Sequence, residues 1–228
     1  MVIYFRGCLA RERLHGISRA TEKILRAAGL EYRVLDEESC CGSVLLRTGF
    51  LEEAEIQISR TGSMLDGEEV VVSCAGCYRT LSRDYRERGY NIAVKHISQL
   101  IEELMAEGRI EFEKTDLKVT YHDPCHLSRH SDERDTSRAI LMELTDFREM
   151  EHHGRDSRCC GAGGGLRSAQ PDVSSAVASS RIEEAEGTGA DVLCTSCPFC
   201  SLNLGARSMR VMDITELLSE LIRRRNVE

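Results

Sequence analysis

A chain of 228 residues with 41% hydrophobic and 30% charged residues, 18 Gly and only 3 Pro has the composition of a folded globular protein, not of a disordered or collagen-like one. Its net charge of −8 makes it a poor nucleic-acid binder, because phosphate neutralisation needs a basic face, so no nucleic-acid partner is expected. No apolar run approaches the ~18–20 residues that span a bilayer, and the start MVIYFRGCLA lacks the charged region and apolar length of a secretion signal.

Short β-branched or aromatic runs predict strands at Val2–Phe5, Tyr32–Leu35 and Val70–Ser73. Helical spacing of apolar residues predicts helices over Ile17–Ala28, ending at Gly29, and over Glu52–Met64, Tyr78–Arg88 and Ile97–Glu107. The scheme then repeats. Strands are expected at Lys118–Tyr121, Phe147–Glu151 and Ala190–Leu193, and helices at Thr136–Leu144, Asp172–Glu186 and Ile214–Arg223. Strands alternating with helices imply parallel α/β units. Ligands of such sheets sit beyond the carboxyl ends of the strands.

Eleven cysteines set the chemistry. An odd count without an export signal suits a reducing compartment, where clustered cysteines bind metal or do redox work. Ten of them fall into two sets in one order: Cys8, Cys40, Cys41, Cys74, Cys77, then Cys125, Cys159, Cys160, Cys194, Cys197. Val94–Leu100 lines up with Val211–Leu217, and the run before Cys74 with the run before Cys194. The chain therefore reads as two homologous halves, 1–115 and 116–228, joined by the polar stretch Gly108–Lys118 and packed together. The expected fold is α/β, with two cysteine-rich domains related by pseudo-twofold symmetry. Cys8, Cys74, Cys125 and Cys194 each follow a predicted strand, so five thiols can gather at one edge of each half. Five do not divide into structural zinc sites, which close at four ligands. Adjacent cysteines suit neighbouring irons, and thiolate is the donor that iron–sulfur clusters prefer. Zinc and plain thiol chemistry are the lesser readings.

This cysteine order, with Cys-Cys-Gly at 40–42 and 159–161, resembles the duplicated cysteine-rich CCG domain of heterodisulfide reductase catalytic subunits (the B and D types) and their relatives. The resemblance runs from Tyr4 to Leu218. It is supported by Tyr4-Phe5-Arg6-Gly7-Cys8, His122-Asp123-Pro124-Cys125-His126, the run Cys159 to Gly165, and Cys197-Pro198. It implies two noncubane [4Fe–4S] clusters. One would sit on Cys8, Cys40, Cys41, Cys74 and Cys77, the other on Cys125, Cys159, Cys160, Cys194 and Cys197. It further implies that the disulfide of coenzyme M and coenzyme B, a substrate of methanogenesis, lies between the clusters and is reduced to two thiols in one-electron steps.

The resemblance leaves several residues to place. Cys200 is read as a buried or free thiol, with an extra or alternate ligand as the minor reading. No complete ferredoxin motif is present, so electrons would come from a separate ferredoxin-like iron–sulfur subunit, in a larger flavin-containing or membrane redox complex. The run Gly161-Ala162-Gly163-Gly164-Gly165 is no phosphate loop. It is expected to supply positive φ and close backbone approach to a cluster; Gly42 alone is its poorer counterpart, so the two sites are expected to differ. His126 is the candidate proton donor, and His122 flanks the same cysteine. His15, His152 and His153 are read as surface residues, and His96, aligned with Asp213, as a helix cap. Arg6, Arg47, Arg129 and Arg167 suit an anionic thiol substrate, and Arg223-Arg224-Arg225 a solvated helix end. The setting expected is anaerobic cytoplasm, or the inner membrane face through partner subunits. The competing reading is a non-catalytic electron-transfer subunit of a hydroxy-acid dehydrogenase or a membrane quinone complex.

Overall fold

The computed structural model describes residues 1–131, 133 and 135–223; Arg224 and Arg225 of the basic tail lie outside them. The first half runs β1 (Val2–Phe5), α1 (Cys8–Glu12), α2 (His15–Ala27), β2 (Tyr32–Arg33), α3 (Ser43–Thr48), α4 (Leu51–Leu65), β3 (Glu69–Val72), α5 (Ala75–Arg79), β4 (Ala93–His96) and α6 (Ile97–Ala106). The second runs β5 (Lys118–His122), α7 (Cys125–Ser128), α8 (Thr136–Leu144), β6 (Asp146–Phe147), α9 (Leu166–Ala169), α10 (Pro171–Glu186), β7 (Val192–Thr195), α11 (Pro198–Leu204), β8 (Arg210–Asp213) and α12 (Ile214–Leu221). Each half builds a four-stranded parallel sheet of one order, β2-β1-β3-β4 and β6-β5-β7-β8. These are two homologous α/β domains.

The central strands are buried on both faces, as parallel strands covered by helices must be. Ile3, Phe5, Val70 and Val72 point to one face. Val2, Tyr4 and Val71 point to the other, with Val119, Tyr121 and Val192 of the second sheet. Between the sheets lie α2, α6, α8 and α12. Helix α2 packs on α12 and α6 on α8, while α1 meets α11 and α5 meets α7. Each contact has its mate under exchange of halves, so the pseudo-twofold axis runs between the sheets. Predicted core helix Ile97–Leu104 buries Ile97, Leu100, Ile101 and Leu104 in this layer.

Several predicted elements differ in detail. The strands β4 and β8 were not expected from the sequence. Their patterns are half-exposed, because each edges its sheet. The stretch predicted as one helix over Tyr78–Arg88 is α5 followed by a π-helical turn, Thr80–Asp84, and a tight turn, Arg86–Arg88. Cys194 does not follow its strand: it lies inside β7, opposite Tyr121 and Met212. The joint between halves is tied down, since Phe112 bridges Ile222 and Glu113 N–H donates to the Leu221 carbonyl at 2.7 Å.

Candidate functional site

In each sheet the order of strand addition switches sides between the two parallel central strands, and ligands of parallel sheets collect at that point. In the first half Cys8 opens α1 just after β1, and Cys74 caps α5 just after β3. Cys77 lies one turn into α5, and Cys40 and Cys41 come from the loop before α3. The Cys8 and Cys40 sulfurs are 3.7 Å apart, and those of Cys41 and Cys77 are 3.3 Å apart. The loops that carry these thiols are fixed by polar contacts. Glu38 accepts from the backbone N–H of Arg6 and Gly7, both at 2.9 Å, and Arg11 donates to the Glu38 carbonyl. Gln57 and Thr61 donate to the Cys40 carbonyl, and Tyr85 to that of Cys41. Gly7 has φ +77, and a Cβ there would stand 3.0 Å from the Cys77 sulfur. Only glycine gives the backbone that turn and the thiol its space.

The second half repeats this with one change of register. Cys125 opens α7 after β5, and Cys159 and Cys160 lie in the loop between β6 and α9. Val72 and Thr195 are equivalent, since each pairs with the last residue of its central strand. Ser73-Cys74-x-x-Cys77 is therefore matched by Ser196-Cys197-x-x-Cys200, not by Cys194 and Cys197. Tyr4 and Tyr121 hydroxyls mark the same register, at 3.0 and 3.1 Å from the Ser73 and Ser196 hydroxyls. Cys197 caps α11, and the Cys200 sulfur lies 3.3 Å from that of Cys160. Cys194 occupies the place of Val71, fully buried in the apolar layer between the sheets. The expected equivalence of Cys194 with Cys74 is thus corrected by three residues. Cys159 is the exposed member, its sulfur accepting from Gly161 N–H at 3.3 Å. Gly161 has φ +81, and a Cβ there would meet the Ser174 carbonyl at 2.6 Å. The glycine run therefore supplies both positive φ and a backbone donor to sulfur.

The two sets face one cavity of about 290 Å³ between the halves. Cys8, Cys40, Cys41, Cys74, Cys77, Cys125, Cys160, Cys197 and Cys200 line it; Cys159 and Cys194 do not. Cys74 and Cys197 touch across the pseudo-axis, which holds Cys74 well above the usual thiol range. Cys77 is held up by Cys41, Cys74 and burial. Cys40 is pulled down to about 3 by hydrogen bonds from Cys41 and Cys8, with Arg11 beside it. Such crowding allows only some thiols to ionise together unless a cation joins them. Soft, clustered, buried sulfur donors are what iron–sulfur clusters take, so the donor set fits them. Five thiols in each half also exceed a closed zinc site.

His126 lines the cavity and is mostly buried; burial lowers its pKa. His130 stacks edge-on against it at 5.6 Å and is itself exposed. Arg6, Arg47 and Arg167 line the cavity. Arg6 and Arg47 are paired with Glu38 and Asp84. Arg129 turns away to the Ser157 carbonyl, where it anchors the second cysteine loop as Arg11 anchors the first. His152 is less free than a surface histidine, holding Glu184 at 3.0 Å. His96 and Asp213 both cap helices with reciprocal capping boxes. Sequence reasoning did not single out Arg11, Arg13 at the cavity rim, or the buried Arg181.

The cysteine-rich domain model named CCG matches residues 2–82 and 119–205. The chain is 36% identical over 236 residues to the D subunit of dihydromethanophenazine:CoB–CoM heterodisulfide reductase from Methanosarcina mazei, covering 97% of this chain and 58% of that protein. It is 35% identical to the B subunit of fumarate reductase (CoM/CoB) from Methanothermobacter marburgensis, covering 94% and 45%. It is 26% identical to EtfAB:quinone oxidoreductase of Syntrophomonas wolfei, covering 95% and 34%. The chain spans about half the length of the first two of these relatives. No helix among the described residues is long and apolar enough to cross a membrane. With the domain matched twice across both sheets, the chain belongs to the CCG cysteine-rich domain family, whose relatives here are subunits and proteins of redox systems.

Proposed function

We propose that this chain holds two iron–sulfur clusters, of the noncubane [4Fe–4S] type, and that a disulfide bound between them is reduced to two thiols. Cys8, Cys40, Cys41, Cys74 and Cys77 would hold one cluster. Cys125, Cys159, Cys160, Cys197 and Cys200 would hold the other. The observation that carries this reading is the single cavity onto which nine thiols of both halves open. When bound, the clusters supply single electrons and soft iron for sulfur. The balance is one disulfide, two electrons and two protons giving two thiols. The substrate class is a mixed disulfide of the CoM-S-S-CoB type, as the names of the relatives suggest.

The chain's own residues do the rest. Leu9, Ala10, Pro124 and Phe199 give the cavity apolar walls against which a disulfide can lie. Arg167 and Arg13 stand exposed at its rim and suit the anionic groups of such coenzymes. His126 would deliver a proton to a leaving thiolate. Its pKa is lowered by burial, so the ring is neutral at rest and would pass a proton on as one arrives, which the neighbouring His130 can bring from solvent. Electrons would come from a ferredoxin-like iron–sulfur subunit, within a flavin-linked or membrane complex.

The second reading is an electron relay without chemistry of its own, favoured by the likeness to EtfAB:quinone oxidoreductase. Exposed Gly163, Gly164 and Arg167 among the lining residues open the cavity to solvent, which a relay does not need. The test is iron and acid-labile sulfide on anaerobically purified protein, then EPR of the oxidised sample with and without coenzyme M. About eight irons with a thiol-dependent signal support reduction at this site. The same iron with no thiol response supports the relay. About four irons or fewer overturn the two-cluster reading.

A further inference from the structure

Phe5 and His122 hold the same place in the two sheets, the last residue of each first central strand. Phe5 gives the first thiol set an apolar neighbour. His122 gives the second set an imidazole that is only 1% exposed. Its Nδ1 lies 3.1 Å from Arg181 Nε, which donates to it. A guanidinium keeps its protons in a protein, so Nδ1 can only accept. The ring's own hydrogen is then on Nε2. A ring nitrogen of His122 and the Cys160 and Cys200 sulfurs all lie within 4.8 Å of one another. With Nδ1 occupied, Nε2–H is the group left to donate to sulfur, and direct metal ligation by this ring is disfavoured.

Arg181 is itself fixed. It is fully buried and donates to Glu184 at 2.7 Å, to the His152 carbonyl at 2.9 Å and to the Ser157 hydroxyl at 3.1 Å. Glu184 balances its charge, so what reaches the thiols is an oriented N–H dipole. A hydrogen bond to cluster sulfur stabilises the more negative, reduced form and raises the potential.

We propose that His122, positioned by Arg181, is a fixed hydrogen-bond donor to the sulfur of the second site and makes it the higher-potential of the two, so electrons enter there before the first site fills. This rests on the iron–sulfur reading above.

The test is an anaerobic redox titration, followed by EPR, of the holoprotein and of H122F, which places the first half's residue in the second half. Expected are unchanged iron and sulfide, one unmoved midpoint, and one midpoint lowered by about a tenfold change in oxidised-to-reduced ratio, about 59 mV for a one-electron couple. H122Q, which keeps an N–H donor, should recover part of the shift. Full iron with both H122F midpoints unmoved overturns the inference alone. Wild-type protein that binds no iron overturns the iron–sulfur reading, and this inference with it. Should H122F lose its second cluster, wild-type protein with 15N-labelled histidine decides by pulsed EPR. A weak nitrogen coupling with an exchangeable proton supports the donor role. A strong coupling of direct iron ligation, or none, overturns it.

Discussion

Cys194 and Cys200 lie six residues apart in the chain and in different surroundings. Cys194 points from the middle of β7 into an apolar layer, among Val119, Tyr121 and Val192. Cys200 points from α11 to the Cys160 sulfur at 3.3 Å. Replacing Cys194 by valine, the residue at the equivalent Val71, adds carbon to a packed apolar site with no sulfur partner; the overpacking cost should be about 1–3 kcal/mol. Iron analysis should find C194V close to wild type, with only its thermal unfolding shifted. C200S should lose about four irons per chain, and equal iron in the two variants would contradict the ligand set proposed here. Gly7→Ala tests the first site in the same way. Its φ of +77 and its 3.0 Å approach to the Cys77 sulfur leave a methyl group strained and crowded. G7A should lower iron at the first site and leave the second, since Pro124, its equivalent, has an ordinary φ of −66. The cysteine order was legible from sequence, but its register at the end was not. Cys194-x-x-Cys197-x-x-Cys200 contains two Cys-x-x-Cys pairs, and spacing alone favours the wrong one. The serine before Cys74 and before Cys197 is the local signal that separates them.

Helices α6 and α12 begin at the same point of the two sheets, under caps of opposite chemistry. His96 accepts the Ser98 N–H through Nδ1, and Asp213 accepts the Thr215 N–H through Oδ1. Burial lowers His96 to about 4 and raises Asp213 to about 8. The signs follow from proton counting. From about pH 4 to 6.5 unfolding takes up a proton at His96, so this cap gives stability that grows with pH. From about pH 4 to 8 unfolding releases a proton from Asp213, so that cap gives stability that is lost as pH rises through 8. The two slopes oppose below pH about 6.5, and only the Asp213 slope remains above it. Asparagine caps helices well, so D213N should keep the helix and remove the decline between pH about 6.5 and 8. H96N should remove the opposing rise and steepen the decline below pH about 6.5. Denaturant midpoints across pH 4 to 8, read as variant minus wild type, check both. Parallel variant and wild-type curves would mean that neither group changes protonation on unfolding. The capping pattern itself was legible as the alignment of Val94–Leu100 with Val211–Leu217. The edge strands before the caps were not, because β4 and β8 are short and partly exposed.

At the scale of the molecule, duplication explains both the site and its dependence on the whole chain. Each half brings an apolar layer that the other covers: Ile24, Leu25, Leu100, Ile101 and Leu104 from the first, and Ile140, Leu141, Leu144, Leu217 and Leu218 from the second. Burying one such side chain is worth about 1.5–3 kcal/mol. Even partial exposure of five of them rivals the ~5–15 kcal/mol by which domains are stable. Two homologous halves were legible from the repeated cysteines. That they pack together was legible from the short polar joint, but which helices form the shared layer was not, because helical spacing shows an apolar face without showing what covers it. The cavity follows from the same packing: its walls come from both halves, with Cys74 against Cys197 and Gly165 where a Cβ would meet Thr48 at 3.0 Å. A protease site placed near Lys114, in the joint, should therefore give a nicked protein that elutes as one species with its iron unchanged. Either half expressed alone should bind a hydrophobic dye and lose the iron that its own cysteines would hold. Half-chains that fold and keep their full iron would show that each thiol set is complete by itself, and the shared cavity would then be a consequence of assembly and not a condition for it.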